Sequence, residues 1–190
     1  MRKVTGFLDK VAKQLQSTEL KVGFMAGATY PDGTSVPMVA AVQEYGGTIK
    51  VPERTQDIHF KMNKKGEVGH RFVKKKVANF VQTVTVPAHT VQIPSRPFFR
   101  NAIAQNKAKW QQTLVKGLLA GKSVTQVLDV LGAQIQGDVV ESIATIDTPV
   151  ISNKTWNKRR TRKIMPNNSD KPLVDTKVMI NSVTYRVDEK

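Results

Sequence analysis

The sequence predicts an α+β fold: a small, mostly antiparallel sheet packed against two long helices, with a β-rich insertion or arm at residues 50–92 inside one domain of residues 1–190. Three observations carry that prediction. From residue 98 to 143 apolar side chains recur at three- and four-residue steps, broken once near Gly121. Between residues 50 and 92 the period falls to two and β-branched residues dominate. Short apolar runs near the two ends, LKVGFMAG and VTYRV, read as strands that need partners.

Taken in chain order, residues 3–17 place Val4, Phe7, Leu8, Val11 and Leu15 on one side of an amphipathic helix. Leu20 to Ala26 follows as a strand, and Pro31-Asp32-Gly33 marks a turn. Ser35 is positioned to cap a helix over PMVAAVQEY, with Pro37 in its first turn, Met38, Val42 and Tyr45 on one face, and Gly46-Gly47 as its stop. Ile58, Phe60 and Met62 alternate ahead of a turn at NKKG, so they predict one arm of a hairpin, with Phe72 and Val73 on its return. VQTVTV and TVQI, separated at Pro87, predict two more strands with a turn between them. Phe99, Ile103, Asn106, Trp110, Leu114 and Leu118 then form one helical stripe; Val124, Val127, Leu128, Leu131, Ile135, Val139 and Ile143 form the next. The connection from Ala120 to Ser123 is so short that the two helices must pack nearly antiparallel. Val183, Tyr185 and Val187 alternate as a terminal strand.

Several chemistries are excluded or unsupported by the residues. The chain holds no Cys, which removes disulfides, thiolate metal sites and a cysteine nucleophile. GLLAGKS has one residue too few between its glycines for a phosphate loop and follows a helical stripe instead of a strand, so a helix stop and restart is expected there. His59, His70 and His89 lack the close spacing of a helical zinc motif, and Asp138 and Glu141 alone define no acid-base pair. There is no Gly-x-Ser-x-Gly nucleophile. The expectation is a non-enzymatic chain without cofactor or metal. No apolar run approaches the length that spans a bilayer, and the N-terminal residues do not read as a signal peptide.

Charge is the strongest compositional signal: 30 Lys and Arg against 15 Asp and Glu give a formal net charge of +15. Residues 51–100 carry 10 basic and 3 acidic groups and residues 151–190 carry 10 and 4, whereas residues 101–150 are balanced. Such a surface attracts nucleic acid or an acidic partner. The densest run is Lys154, Lys158, Arg159, Arg160, Arg162 and Lys163; on a short helix begun by Thr155 it would form a basic interaction surface, with Trp156 for stacking. RFVKKK supplies a second run at Arg71, Lys74, Lys75 and Lys76.

Three ordered segments bear a further reading: VAAVQEYGG at 39–47, IPSRPFFRNAI at 93–103 and KPLVDTKVMINSVTYRV at 171–187. Together they resemble the tailed-bacteriophage family of neck, tail-completion and tail-component proteins. The matching residues are Glu44, Tyr45 and Gly46; Pro94, Arg96, Pro97 and Phe98; and Pro172, Leu173, Asp175, Thr176 and Ser182. Lys177 stands where that family usually has glycine. The resemblance implies a structural virion protein at the head-tail junction, assembled in the host cytoplasm as a ring of identical subunits beside other neck, connector or tail proteins, with nonspecific DNA contact near the exit path. A tail-terminator position is the alternative within the same resemblance. A nucleic-acid-binding module using residues 154–163 is the alternative outside it. Pro94 and Pro97 are expected to stiffen the helix entry, Phe98 and Phe99 to anchor it, and Arg96 to hold carbonyls or a carboxylate. Asp175 or Thr176 is expected to organise a turn before the last strand.

Overall fold

The computed structural model describes residues 2–189 and has an α+β fold of helices and small two-stranded sheets. The chain divides into two compact units, residues 1–47 with 94–190, and residues 48–93.

In the first unit, α1 (Arg2–Ser17) leads into β1 (Thr18–Phe24), which pairs antiparallel with the terminal strand β6 (Val183–Glu189) from Thr18↔Glu189 to Phe24↔Val183. Between them in sequence lie α2 (Val36–Tyr45), α3 (Phe98–Leu119), α4 (Val124–Thr145), α5 (Asn153–Arg160) and the single turn α6 (Val178–Asn181). Ser35 accepts from Met38 N and starts α2; Gly46, at φ +75°, ends it. Ser123 and Gln126 form a reciprocal capping box on α4, and Gly121 at φ +77° turns the chain between the long helices. GLLAGKS is therefore a helix end and a restart.

α3 and α4 run antiparallel, tied by Ser142 Oγ to Phe98 O at 2.7 Å, Trp110 Nε1 to Asp138 at 2.6 Å and Thr113 Oγ1 to Gln134 at 2.8 Å. Every predicted apolar position of α4 is buried or half-buried, because α4 packs on α3 on one side and on β1 and β6 on the other. Gly132 permits the second contact: a Cβ there would overlap Tyr185 and Leu20. The core forms two clusters. One gathers Val36, Ala40, Phe98, Ala102, Val139, Ile143, Leu173, Met179 and Val183; the other gathers Val124, Leu128 and Leu131 with Val11, Leu20, Trp110, Leu114 and Leu118 against them.

In the second unit, β3 (Arg54–Phe60) pairs antiparallel with β4 (Phe80–Val86), while β2 (Gly47–Val51) pairs with β5 (His89–Ile93). The ladders follow one another along the same two stretches of chain. Pro52-Glu53 interrupts one stretch and Pro87-Ala88 the other, since proline has no N–H to extend a ladder.

Some expectations are corrected. α2 buries Val36, Ala40 and Glu44, leaving Met38 and Tyr45 exposed at 57% and 72%; Ala40 is small enough to let the helix approach Phe98 closely, and Met38 is not. The two strands expected on either side of Pro87 are present as β4 and β5, which pair with β3 and β2. Phe72 and Val73 lie in the long connection from β3 to β4, outside the return strand, although the Phe72 ring sits 5.5 Å from that of Phe60. Ile103 and Leu15 are exposed, while Val11 does pack on the core. The side chains of Val4, Phe7 and Leu8 lie outside the described residues.

Candidate functional site

The polar centre of the first unit is built where α2 ends and α3 begins. α3 opens after Pro97, which has no side chain able to cap, so its first amides need an acceptor from elsewhere. Glu44, in the last turn of α2 and 5% exposed, supplies it: one carboxylate oxygen accepts from Phe99 N at 2.8 Å, and the other from Arg100 N at 3.2 Å and Arg100 Nε at 2.9 Å. A carboxylate at a helix N-terminus is favoured by the exposed amide dipoles as well as by these bonds. Arg100 also donates to Glu44 O at 2.7 Å and lies over the Tyr45 ring at 5.3 Å. Ser95 Oγ donates to the same carbonyl at 2.7 Å.

Arg96, 7% exposed, crosses to three further groups. Its amide donates to Gln43 O at 2.6 Å, its Nη1 to the Gln43 side chain at 2.8 Å, and its Nε to Pro149 O at 3.0 Å. Burial, and then the like charge of Arg159, pull the Arg96 guanidinium below its ordinary value. The carbonyls that replace water around it are neutral, so hydrogen bonding and not ion pairing holds Arg96 in place. Phe98 beside it is 1% exposed and meets Phe24 edge to face at 6.1 Å.

The third segment closes over the same core. Leu173 joins the cluster containing Phe98 and Val36, and Pro172 O accepts from Arg159 Nη2 at 2.7 Å while Lys171 O accepts from Nη1 at 2.9 Å. Asp175 takes two bonds from Arg162, at 2.7 and 3.2 Å, and lies 3.7 Å from Arg159. Partial burial acts to raise the Asp175 carboxyl, but the Arg162 hydrogen bonds and the charges of Arg159 and Arg162 outweigh it and hold it below its ordinary value. Asn167 Nδ2 ties down the carbonyls of Val174 and Asp175 at 2.7 and 2.8 Å. Lys177 then adopts φ +60°, a left-handed conformation that favours glycine, and starts α6. A cleft of about 500 Å³ runs past Tyr30, Asp32, Gln43, Arg159, Asp175 and Lys177. Within it, burial, followed by the Asp175 and Asp32 charges, raises the Tyr30 phenol.

The structure thus brings Glu44, Arg96, Phe98, Leu173 and Asp175 into the same compact unit, with Phe98 and Leu173 in one core cluster, although up to 131 residues separate them in sequence. Gly46 and Pro97 set the backbone at the helix ends, Pro94 lies exposed at the approach to α3, and Thr176 lines the cleft. Sequence reasoning missed Gln43, Arg100 and Asn167, which complete the hydrogen bonding. Arg100, two residues after Phe98, was legible as a helix-start cation, but its partner on α2 was not.

The basic run at 154–163 requires correction as a continuous interaction surface. α5 starts at Ser152, which accepts from Thr155 N, and not at Thr155. Arg159 is 9% exposed and Arg162 is half-buried on Asp175, so both guanidinium groups are spent inside the fold. Lys154, Lys158, Arg160 and Lys163 remain exposed, with Arg160 stacked 4.4 Å above Trp156. Among the described residues, no three His, Asp or Glu side chains gather to hold a metal ion, and no helix is long and apolar enough to cross a membrane. No protein-family model, curated protein or solved structure matches this chain.

Proposed function

We propose that this chain is a structural virion protein of a tailed phage, acting at the head-tail junction as a neck or tail-completion component in a ring of several copies. The observation that carries this reading is the convergence of the three family-like segments. Glu44 of the first caps the helix opened by Pro97 and Phe98 of the second, and Pro172, Leu173 and Asp175 of the third close over the same core. The left-handed backbone at Lys177 adds support, since it falls where the resembled family places glycine. In these segments the charges of Glu44, Arg96 and Asp175 are used to join chain segments to each other, which suits a part that must stay rigid in an assembly.

A ring needs one surface of a subunit to fit a different surface of its neighbour with a closing rotation. Tyr45, Met38 and Ile103 supply exposed apolar area for such a contact, and a shallow recess of about 360 Å³ lies among Pro37, Ala41, Tyr45 and Ile103. The test is deletion of the coding sequence from the phage. Unjoined heads and tails, or junctions that break on purification, are expected. Normal, infectious particles assembled without the protein would overturn the proposal.

A further inference from the structure

The longest set of exposed cations without an ion pair among the described residues belongs to the second unit, and not to the run that charge density ranks first. Residues 48–93 hold nine Lys or Arg against three Asp or Glu, and residues 61–76 hold seven against one. Lys61, Lys64, Lys65, Arg71, Lys74, Lys75 and Lys76 are all exposed. Among the described residues, ion pairs form at Lys21, Arg100, Lys109, Arg159, Arg162 and Arg186, and none forms at these seven. The single carboxylate of the stretch is occupied too: Glu67 accepts from Asn63 Nδ2 at 2.7 Å.

The loop that presents these cations is built. Asn63 Oδ1 accepts from the amides of Lys65 and Glu67, Gly66 turns at φ +82°, and Met62 bridges Val68, which together fix Lys64 and Lys65 at a tight tip. Asn79 clamps the loop base by accepting from Met62 N at 2.6 Å and donating to Met62 O at 2.8 Å. Gly69 N donates to Lys61 O and Val73 N to His59 O, so the returning chain is pinned alongside β3 before the one-turn 3-10 helix at Lys75–Val77 carries the remaining lysines. Backbone and amide hydrogen bonds thus fix Lys64 and Lys65 as neighbours at the tip, and Lys74, Lys75 and Lys76 follow one another at the start of the 3-10 turn, so like charges adjoin in each stretch at an electrostatic cost that an external anion would relieve.

We infer that this loop is a sequence-independent binding surface for the phosphate backbone of duplex DNA. The residue types select that partner over an acidic protein. Six of the seven cations are lysines, which bind phosphate as point charges without the bidentate geometry of Arg, whereas protein interfaces are depleted in Lys. Within the first unit of this chain, by contrast, the closest carboxylate pairs, Asp175 with Arg162 and Asp188 with Arg186, both at 2.7 Å, are held by arginines. Duplex DNA also offers the densest regular array of negative charge, one per about 1.7 Å of axis. Phe72 is 76% exposed with its ring 5.5 Å from that of Phe60, and it is the one Phe, Tyr or Trp of residues 61–76, so the loop offers no series of such rings to stack successive bases. The surface therefore reads charge and not sequence.

The test uses the full chain and a labelled 30-base-pair duplex of mixed sequence, titrated across a salt series. Wild-type affinity should fall linearly in log salt, with equal slopes for AT-rich and GC-rich duplexes. Lys64→Gln, Lys65→Gln, Lys74→Gln, Lys75→Gln and Lys76→Gln combined should reduce that slope by up to about 4.5, at roughly 0.9 per lost phosphate contact. The control variant Lys154→Gln, Lys158→Gln, Arg160→Gln and Lys163→Gln, which removes four of the exposed cations of the other run, should leave it nearly unchanged. The substituted positions are exposed, and an unchanged thermal midpoint checks that each variant is folded. Wild-type-like DNA binding by the loop variant would overturn the inference. So would binding of poly-glutamate as tight as that of DNA at equal charge, which would point to an acidic protein.

Discussion

Glu44→Ala removes the acceptor on which the start of α3 depends. Two backbone amides, those of Phe99 and Arg100, lose their partner, and the loss of a helix cap costs about 1 kcal/mol, up to about 2. The negative charge at the helix terminus adds roughly 0.3–1 kcal/mol. The Arg100 pair adds less than its 2.9 Å geometry suggests, because the Arg100 side chain is 56% exposed and water screens it; about 0.2–1 kcal/mol is appropriate. The expected total is about 2–3 kcal/mol. In a chain of this length that lowers the thermal midpoint by roughly 5–10 °C. Glu44→Gln keeps one acceptor and should cost about half as much. Arg100→Ala should cost less than either, since Glu44 then retains both amides. Urea denaturation of the three variants and of the Glu44→Ala, Arg100→Ala double variant gives the coupling between the two residues directly. A Glu44→Ala midpoint within about 0.5 kcal/mol of wild type would refute the capping role, because surface glutamates fall in that range.

Trp110 is only half-buried, so Trp110→Ala should cost about 2–3 kcal/mol, below the range for a fully buried tryptophan; Trp110→Phe, which loses the 2.6 Å bond to Asp138, should cost about 1 kcal/mol. Equal denaturation midpoints for both variants and wild type would remove Trp110 from the α3–α4 contact. Asp175 gives a pH dependence with a definite sign. Its folded-state pKa lies below the ordinary 3.8, so the unfolded chain takes up the proton first as pH falls. Its contribution is complete above that ordinary value and is lost as pH drops through the lower, folded one. Asp188, depressed by Lys21 and Arg186 against its own desolvation, acts in the same direction. Denaturation followed from pH 5 downward should show a shallower slope for Asp175→Asn than for wild type, and an unchanged slope would contradict the Arg162 pairing.

The long helices were legible because their signals are local. A 3.6-residue stripe, Ser123 with Gln126 three residues on, and Gly121 all lie within one or two turns of what they control. The same holds for Ser35 and Gly46 around α2. What sequence periodicity could not give was the buried face of α2, since Met38, Val42 and Tyr45 form as regular a stripe as Val36, Ala40 and Glu44. The choice between them is made by α3, whose uncapped amides need Glu44 inward, and that need arises 55 residues away. The return side of the hairpin was misplaced in a related way, although its first arm and the turn at NKKG are present. Phe72 and Val73 have strand-like side chains, but strand pairing is settled by which stretch completes β3 along all seven residues, and Phe80–Val86 does so.

The two basic runs put the same limit on charge counting. By density, residues 154–163 outrank residues 61–76, with six cations in ten positions. Folding reverses the order, because a positive side chain is available to a partner only after the chain's own acceptors have been served. Asp175 and the carbonyls of Lys171 and Pro172 come from the segment just downstream, and they take Arg159 and Arg162 from the first run. The second run has one carboxylate within it, already held by Asn63. Arginine followed by a nearby Asp and a carbonyl-rich, proline-bearing segment is therefore a sign of internal use, while lysines set around an Asn-Gly turn without acids are a sign of an outward-facing charge. On that basis the loop at 61–76, and not α5, is where an anionic partner of this chain is to be sought.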